Sequence, residues 1–553
     1  MAPNDEADNK ILVQTRFEVG QQQMSTGDSN SRRIKGRTVL SILHVETMRM
    51  PPRIASSLLA SRRLASSLLA SCLLACCFLL PVAQVSAQTA TDNQPSIQVV
   101  LPGDRLERLL VTLPHESTVA SACVVDVASK RVTFSYQRDL AVVPASTMKL
   151  FTMIGALETL GADFEFETKF YQDGPNVLVV GDGDPSTGNA EGTSASQKRD
   201  GHFASFVEAL TKANVGAIQG DIVLDVARME PPSYHKSWEN SDHGRWYAAP
   251  VDAVNFNANC LNVTVEPGEP GKPAKVKMWP NCPDAEIDNR TKTGKGRNPI
   301  IHHPPGTRKY VVSGNCRKTW AFPAVSFPEP ARLFGHALKE ELRQAGISVA
   351  GDIKISRKPI AAEQAQLRDT LKTKLVEILP RIGKDSHGPY SEALLKRMGY
   401  AAGANRGVRS PGSWASGRKA MTDFLNKAGI DTKRFELSDG SGLSRDNRAT
   451  AEQLCQLLAF AHKRPYAQTV IDSLAVAGVD GTLRRQMREQ KGRVVAKTGT
   501  MTGIRTLSGY ILSKSGERKL AFAIMFNDFP GSTTPYREIQ DEFCGVLVNA
   551  IDW

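Results

Sequence analysis

At 553 residues the chain exceeds what one hydrophobic core organises, and its length predicts two to four domains. A composition of 41% hydrophobic and 23% charged residues excludes collagen-like, coiled-coil and wholly disordered chains. The formal net charge is +12, but residues 1–87 hold ten Lys/Arg against six Asp/Glu, which leaves about +8 for the remainder.

Residues 1–52 are polar and without periodicity. Arg62 and Arg63 then precede a largely apolar run, Leu64 to Leu80, followed by Pro81 and by Val85-Ser86-Ala87. A basic flank, an apolar core and a small-x-small site predict a secretory signal cleaved after Ala87. Seventeen residues that include three serines are short for a permanent anchor. The apolar run continues past Cys76, which disfavours a lipoprotein site there. "RIASSLLAS" is nearly repeated as "RLASSLLAS", a local duplication within the leader. Met48 or Met50 would give a leader of ordinary proportions, so translation is expected to start downstream of Met1. The expectation is an exported protein, periplasmic or in the cell envelope, whose mildly basic mature chain suits an anionic envelope polymer. The export signal and the lack of a basic stripe interleaved with aromatics argue against nucleic acid.

Six cysteines lie outside the leader, at 123, 260, 282, 316, 455 and 544. None forms a C-x-x-C pair, so zinc and thioredoxin-like chemistry have no support. An oxidising compartment favours one disulfide among Cys260, Cys282 and Cys316. Cys123 and Cys455 stand in apolar contexts and read as buried thiols. His302-His303 precede two prolines; adjacent histidines do not normally point to one metal, so a plain loop is expected.

From Leu106 to Leu160 the pattern reads helix, strand, strand, helix. "ACVVDVASKRVTFSYQ" alternates like a hairpin, and "STMKLFTMIGALETL" has apolar residues at helical spacing. The middle, 172–374, is expected to be β-rich, with short strands in "NVLVVGDG", "DIVLDVA", "LNVTVEPG" and "ISVAGDIKI". It also holds loop-like "EPGEPGKPAK" and basic "NRTKTGKGRNP". The G-x-G of "VVGDGDPSTG" has no long helix after it and reads as a turn. From about 375 helices return in "TLKTKLVEILPRIG", "PYSEALLKRMGY", "RKAMTDFLNKAG" and "TAEQLCQLLAFAHKR". Strands follow in "RVVAKTGTMTG", "IRTLSGYIL" and "RKLAFAIMFND", then a last helix in "REIQDEFCGVLVNAI". The outer segments therefore predict one layered domain of helices on a sheet, interrupted by the middle.

Two short motifs carry chemistry. In "VVPASTMKLFT", Ser146 begins a helix after Pro144-Ala145, and Lys149 follows one turn later on the same face. In "VVAKTGTMTG", Lys497 and Gly499 face one side of a strand and Thr498 and Thr500 the other, while Gly499 lets a ligand approach the backbone. Each motif alone is weak. Together, S-x-x-K and K-T-G in an exported chain are the signature of penicillin-binding proteins and β-lactamases.

Nearly the whole mature chain resembles the low-molecular-mass class C penicillin-binding proteins, the D-alanyl-D-alanine carboxypeptidase/endopeptidase family. "VPASTMKLFT" is similar to its nucleophile helix; "VLVVGDGDPS", "WYAAPVDAVNFNANCLNVTVEPG" and "ISVAGDI" are similar to its inserted domains. "LSDGSGLSRDN" and "LAVAGVDGTLRRQM" resemble its segments before the K-T-G strand. The separation of 240 positions from Ser146 to Ser386 suits domains inserted between the first two motifs, where a class A β-lactamase has a far shorter gap. The resemblance implies an α/β fold, a penicillin-binding/serine β-lactamase-like domain with an antiparallel sheet flanked by helices and inserted β-rich domains. The expected limits are a leader at 1–87, catalytic parts at 96–171 and 375–553, and the insertion, one or two nested domains, at 172–374.

The resemblance also implies acyl transfer without cofactor or metal. Ser146 is the expected nucleophile and Lys149 its base, provided that burial and the neighbouring Lys497 bring it well below the usual value of about 10.4. Lys497 and Thr498 would hold the substrate's terminal carboxylate, and the backbone N–H groups of Ser146 and Thr500 would form the oxyanion hole. Ser386 stands where the family's S-x-N serine stands, but Gly388 occupies the asparagine position. His387 either points to solvent or reaches into the site in the asparagine's place, with solvent favoured. "SRDN", Ser444 to Asn447, has the wrong spacing and reads as a loop. The expected activity is a serine-type D-Ala-D-Ala carboxypeptidase or endopeptidase acting on peptidoglycan peptides and acylated by β-lactams. The alternatives are a muropeptide-binding protein with slow or no turnover, supported by Gly388, and a β-lactamase or esterase, disfavoured by the insertion.

Overall fold

Alternation along two strands explains how one sheet comes to lie between two layers of helices. On Val119–Asp126, Ala120, Ala122 and Val124 face one way, while Cys123 and Val125 face the other. On Lys519–Asn527, Leu520, Phe522, Ile524 and Phe526 join the first set, and Ala521, Ala523 and Met525 the second. Both faces are therefore apolar, and each needs a cover. One is covered by Gly103–Val111 and Thr534–Ile551. Helices Met148–Leu160, Leu375–Gly383, Gly388–Ala404, Trp414–Lys427 and Ala451–His462 pack against the other.

The computed structural model describes residues 101–188, 201–407 and 410–552, within one compact unit, Asn93–Trp553. The expected leader, its cleavage site, the alternative starts and Cys72, Cys76 and Cys77 lie outside the described residues. The central sheet has six strands, all antiparallel, in the order Ala475–Val476, Val494–Met501, Ile504–Leu512, Lys519–Asn527, Val119–Asp126, Val132–Tyr136.

Between Met148–Leu160 and Leu375–Gly383 the strands form other sheets. A mixed five-stranded sheet runs Ile353–Ser356, Ile222–Asp225, Asn176–Val180, Glu165–Asp173, Gln366–Lys374. A three-stranded sheet joins Ile300–His302, Lys309–Cys316 and Glu286–Thr293. Cys260–Glu266 pairs with Lys275–Trp279, Trp320–Ala321 and Val325–Ser326.

The structure corrects four expectations. Helix does not begin in "TLKTK": residues through Lys374 pair strand-wise with Glu165–Asp173, because Leu371 and Thr373 alternate inward there, and helix starts at Leu375. Among the described residues the middle also contains two helices, Ala204–Lys212 and Pro330–Gln344, whose Phe206, Leu210, Phe334 and Leu338 fill the core of the five-stranded sheet. The expected disulfide is absent: Cys260, Cys282 and Cys316 are buried free thiols, with Cys282 and Cys316 in separate apolar clusters. His302 ends a strand rather than lying in a loop; His303 stacks on Tyr310 with ring centroids 4.3 Å apart and its Nε2 is 2.7 Å from Thr307 O.

Polar anchors fix the middle segment on the site helices. Asp182, in the turn after Asn176–Val180, accepts hydrogen bonds from Arg228 at 2.6 Å and from Arg397 of helix Gly388–Ala404 at 3.1 Å. Trp238 Nε1 donates to Asp439 at 2.7 Å.

Candidate active site

Ser146 occupies the 3-10 turn Ala145–Thr147, which runs straight into helix Met148–Leu160. The turn is strained, since Ala145 has φ of 45°, a left-handed value that costs a residue with a β-carbon about 1–2 kcal/mol. Its neighbours hold it there. Thr506 Oγ1 donates to Pro144 O at 2.8 Å. Gly442 packs so closely that a β-carbon on it would fall 1.9 Å from Ala145 O.

Lys149 is one turn on, 2% exposed, with Nζ 3.3 Å from Ser146 Oγ and donating to Ser441 O at 2.6 Å. Burial pulls the Lys149 pKa down to about 8, against the opposing pull of the Asp439 and Glu392 carboxylates. Helix geometry and burial thus place beside a hydroxyl an amine that gives up its proton more readily than an exposed lysine does.

The strand Val494–Met501 brings the second motif to the same place. A β-carbon at Gly499 would fall 3.0 Å from Ser146 N and 2.1 Å from Thr506 Oγ1, so only glycine allows this approach. Lys497 is fully buried; its Nζ donates to Ser386 Oγ at 2.8 Å and to Thr498 O at 2.7 Å. Burial, Lys149 and Arg505 together push the Lys497 pKa far down. Thr498 Oγ1 donates to Thr482 Oγ1 at 2.9 Å, and Thr500 Oγ1 accepts from Arg505 at 2.6 Å. On its outer side the strand pairs with Ala475–Val476 only through Val495 and Ala496, so among the described residues no strand pairs with that edge from Lys497 onward.

The structure thus brings two hydrogen-bonded pairs, Lys149 with Ser146 and Lys497 with Ser386, within electrostatic reach of each other, with Thr498 and Thr500 on the strand that carries Lys497. Ser146, Lys149, Ser386, Gly388 and Thr500 line a cleft of about 460 Å3, together with Asp242 and Arg445. A larger hollow of about 730 Å3, beside Trp279 and Phe256, contains none of these residues. Among the described residues no group of three His, Cys, Asp or Glu is placed to hold a metal ion.

Position 388 departs in a way the structure explains. A β-carbon there would lie 2.1 Å from the backbone oxygen of Tyr247, so the turn Trp246–Ala248 fills the space an asparagine side chain needs. His387 does neither of the things expected of it. It is 5% exposed, packs between Trp246 and Tyr390 with centroid distances of 5.2 and 4.7 Å, and does not line the cleft. Burial, with Arg381 and Lys149 adding to it, takes its pKa down to about 3, so the ring stays neutral. Ser444 and Asn447 are buried in a loop, where Asn447 Oδ1 accepts from Ser438 N at 2.7 Å.

Sequence reasoning missed Glu392, Asp439 and the Ser441 carbonyl. A glutamate inside the apolar helical run "YSEALL" was the one available signal, since carboxylates are rarely buried unpaired. Backbone carbonyls leave no trace in a sequence.

Comparison with known proteins gives the chain's family and relatives. The model of the D-Ala-D-Ala carboxypeptidase 3 (S13) family matches residues 104–549. A D-alanyl-D-alanine carboxypeptidase of an Actinomadura species is 33% identical over 487 residues, covering 82% of this chain and 86% of the relative. The D-alanyl-D-alanine carboxypeptidase DacB of Haemophilus influenzae is 24% identical over 439 residues, covering 75% and 87%. The crystal structure of penicillin binding protein 4 (dacB) from Haemophilus influenzae superposes with a TM-score of 0.67 at 22% identity, covering 80% of this chain and 99% of that one. The fold is accordingly an α/β fold related to the penicillin-binding and serine β-lactamase-like proteins.

Proposed function

The chain belongs to the D-Ala-D-Ala carboxypeptidase 3 family, and from that premise we propose that it cleaves peptidoglycan stem peptides at D-Ala-D-Ala bonds or at cross-links through an acyl-enzyme on Ser146. Ser146 Oγ attacks the carbonyl carbon while its proton passes to Lys149 Nζ. The C–N bond breaks, the leaving amine departs with that proton, and an ester remains on Ser146. Water then attacks the ester; its proton returns by way of Lys149 to Ser146 Oγ, and the shortened peptide leaves as an acid. A β-lactam follows the first half and stalls at the ester.

The observation that carries this reading is the buried contact between Lys149 Nζ and Ser146 Oγ at 3.3 Å. The pKa of about 8 supports Lys149 as the base. The close packing of Gly499 on Ser146 N supports an oxyanion hole from the N–H groups of Ser146 and Thr500, each such donor being worth about 2.7–4 kcal/mol at the transition state. Lys497 and Thr498 take the terminal carboxylate along the outer edge of their strand. The same proposal reads the region around 172–374 as inserted, supported by its separate sheets, with its first edge moved back to Glu165. It also places the protein outside the cytoplasmic membrane, on the strength of the leader-like residues 62–87.

The closed space at Gly388 favours a second reading, a muropeptide-binding protein with slow or no turnover, since no side-chain amide can stand there. Release of D-alanine from a soluble pentapeptide, with cleavage of a cross-linked dimer in parallel, decides between them. The proposal expects turnover of one or both that Ser146→Ala abolishes. Binding of both peptides without any product would favour the second reading.

A further inference from the structure

Two buried carboxylates stand behind Lys149, and the acyl-transfer reading above gives them no part. Glu392, 1% exposed on helix Gly388–Ala404, accepts from Ser441 N at 2.8 Å through Oε1, and through Oε2 from Gly440 N at 3.1 Å and Trp414 Nε1 at 2.8 Å. Asp439, fully buried, accepts from Gly442 N, Ser444 N, Asn447 Nδ2 and Trp238 Nε1 at 2.7–2.9 Å. The residues between them thus have their amides fixed from both sides, and Thr152 Oγ1 ties Gly440 O to the nucleophile helix at 2.7 Å. One carbonyl in this clamped run, that of Ser441, accepts from Lys149 Nζ at 2.6 Å.

We propose that Glu392 is a positioning residue for acyl transfer: by gripping the Gly440–Ser441 amides it aims the Ser441 carbonyl at Lys149, and its carboxylate favours the Lys149 ammonium. The inference rests on the reading of Lys149 as that base. A structural glutamate needs partners, and three N–H donors satisfy it; what they do not explain is its place behind a carbonyl bonded to the reactive amine. The other charged and titratable groups around it are Asp439 and His235 across the loop, Lys396 one turn on in the same helix, Glu230 against Lys396, Arg418 beside Ser438, and Lys149 itself. Lys396 is spoken for: its Nζ lies 3.0 Å from Glu230 and 3.9 Å from the Trp414 ring centroid. Among the carboxylates, Glu392 and Asp439 are the two whose charge acts on Lys149. Glu392 titrates close to it, since burial and the Asp439 charge raise its pKa to about 7.

The test is the acylation rate with a fluorescent penicillin from pH 5 to 10, in wild type, Glu392→Gln and Glu392→Asp, each checked for folding by thermal melting. Wild type should show a rate that rises with pH toward a plateau. Glu392→Gln removes the charge that favours the Lys149 ammonium, so its rise should move to lower pH by on the order of one unit, with a lower plateau because a carboxamide cannot accept from both amides. Glu392→Asp keeps the charge and should keep the wild-type position of the rise, with a reduced plateau. If both variants lose rate or melting temperature while the rise stays at the wild-type pH, Glu392 is structural only and the inference is overturned. No acylation of wild type at any pH would instead overturn the reading of Lys149 and Ser146 on which it rests.

Discussion

The backbone oxygen of Tyr247 stands 2.1 Å from the point where a β-carbon at residue 388 would fall. Glycine at 388 is therefore a packing requirement of this chain: the turn Trp246–Ala248 closes on the start of helix Gly388–Ala404, where any side chain would collide with main chain.

Gly388→Ala should consequently destabilise the protein by about 1–3 kcal/mol, as overpacked sites do. Because Ser386 and Lys497 share a 2.8 Å hydrogen bond two residues upstream, acylation should slow as well. Thermal melting and penicillin labelling check both, and an unchanged melting temperature would contradict the contact.

The acylation rate of the wild-type protein should rise with pH through a midpoint near 8. The sign follows from burial, which depresses Lys149 and so favours the free amine that accepts the Ser146 proton. His387 should contribute no limb between pH 5 and 8, because its ring is already neutral there; His387→Gln should leave the midpoint in place. A rate independent of pH from 6 to 10 would be inconsistent with Lys149 as the base.

Ligand binding should take up protons. Lys497 lies well below the ordinary lysine value because burial and two neighbouring cations disfavour its ammonium form. An incoming carboxylate supplies the missing counter-charge and raises the pKa again. Calorimetry of a carboxylate-terminated peptide on the Ser146→Ala variant, in buffers of different ionisation enthalpy, should give net uptake above neutral pH. Lys497→Met should abolish the uptake and weaken binding roughly ten- to a hundredfold. Equal heats in all buffers would contradict the assignment.

What the sequence disclosed follows from how far apart the relevant partners lie. Ser146 and Lys149 are one helical turn apart, and Lys497 to Thr500 are successive strand residues, so local spacing carried them. The apolar run in "RKLAFAIMFND" was enough to announce a strand, though not that both of its faces are buried. Other features depend on distant chain. Leu371 and Thr373 became strand because Glu165–Asp173 offers them partners, which no window around them reveals. Cys282 and Cys316 were separated by the packing of two small sheets, beyond the reach of spacing rules. Glycine at 388 is required by the Tyr247 oxygen, which belongs to a distant part of the chain that no local window includes. Glu392 works through backbone amides 48 and 49 residues away, and amides are the same in every sequence.

The central claim is that Ser146 becomes acylated because Lys149 lies beside it. Its most direct measurement is intact mass after incubation with benzylpenicillin, followed by peptide mapping, on wild type and on Ser146→Ala. The account predicts one added penicilloyl group on the wild-type chain, located on the peptide that contains Ser146, and no added mass on the variant. An unmodified wild-type chain, or a label that persists in Ser146→Ala, would contradict it.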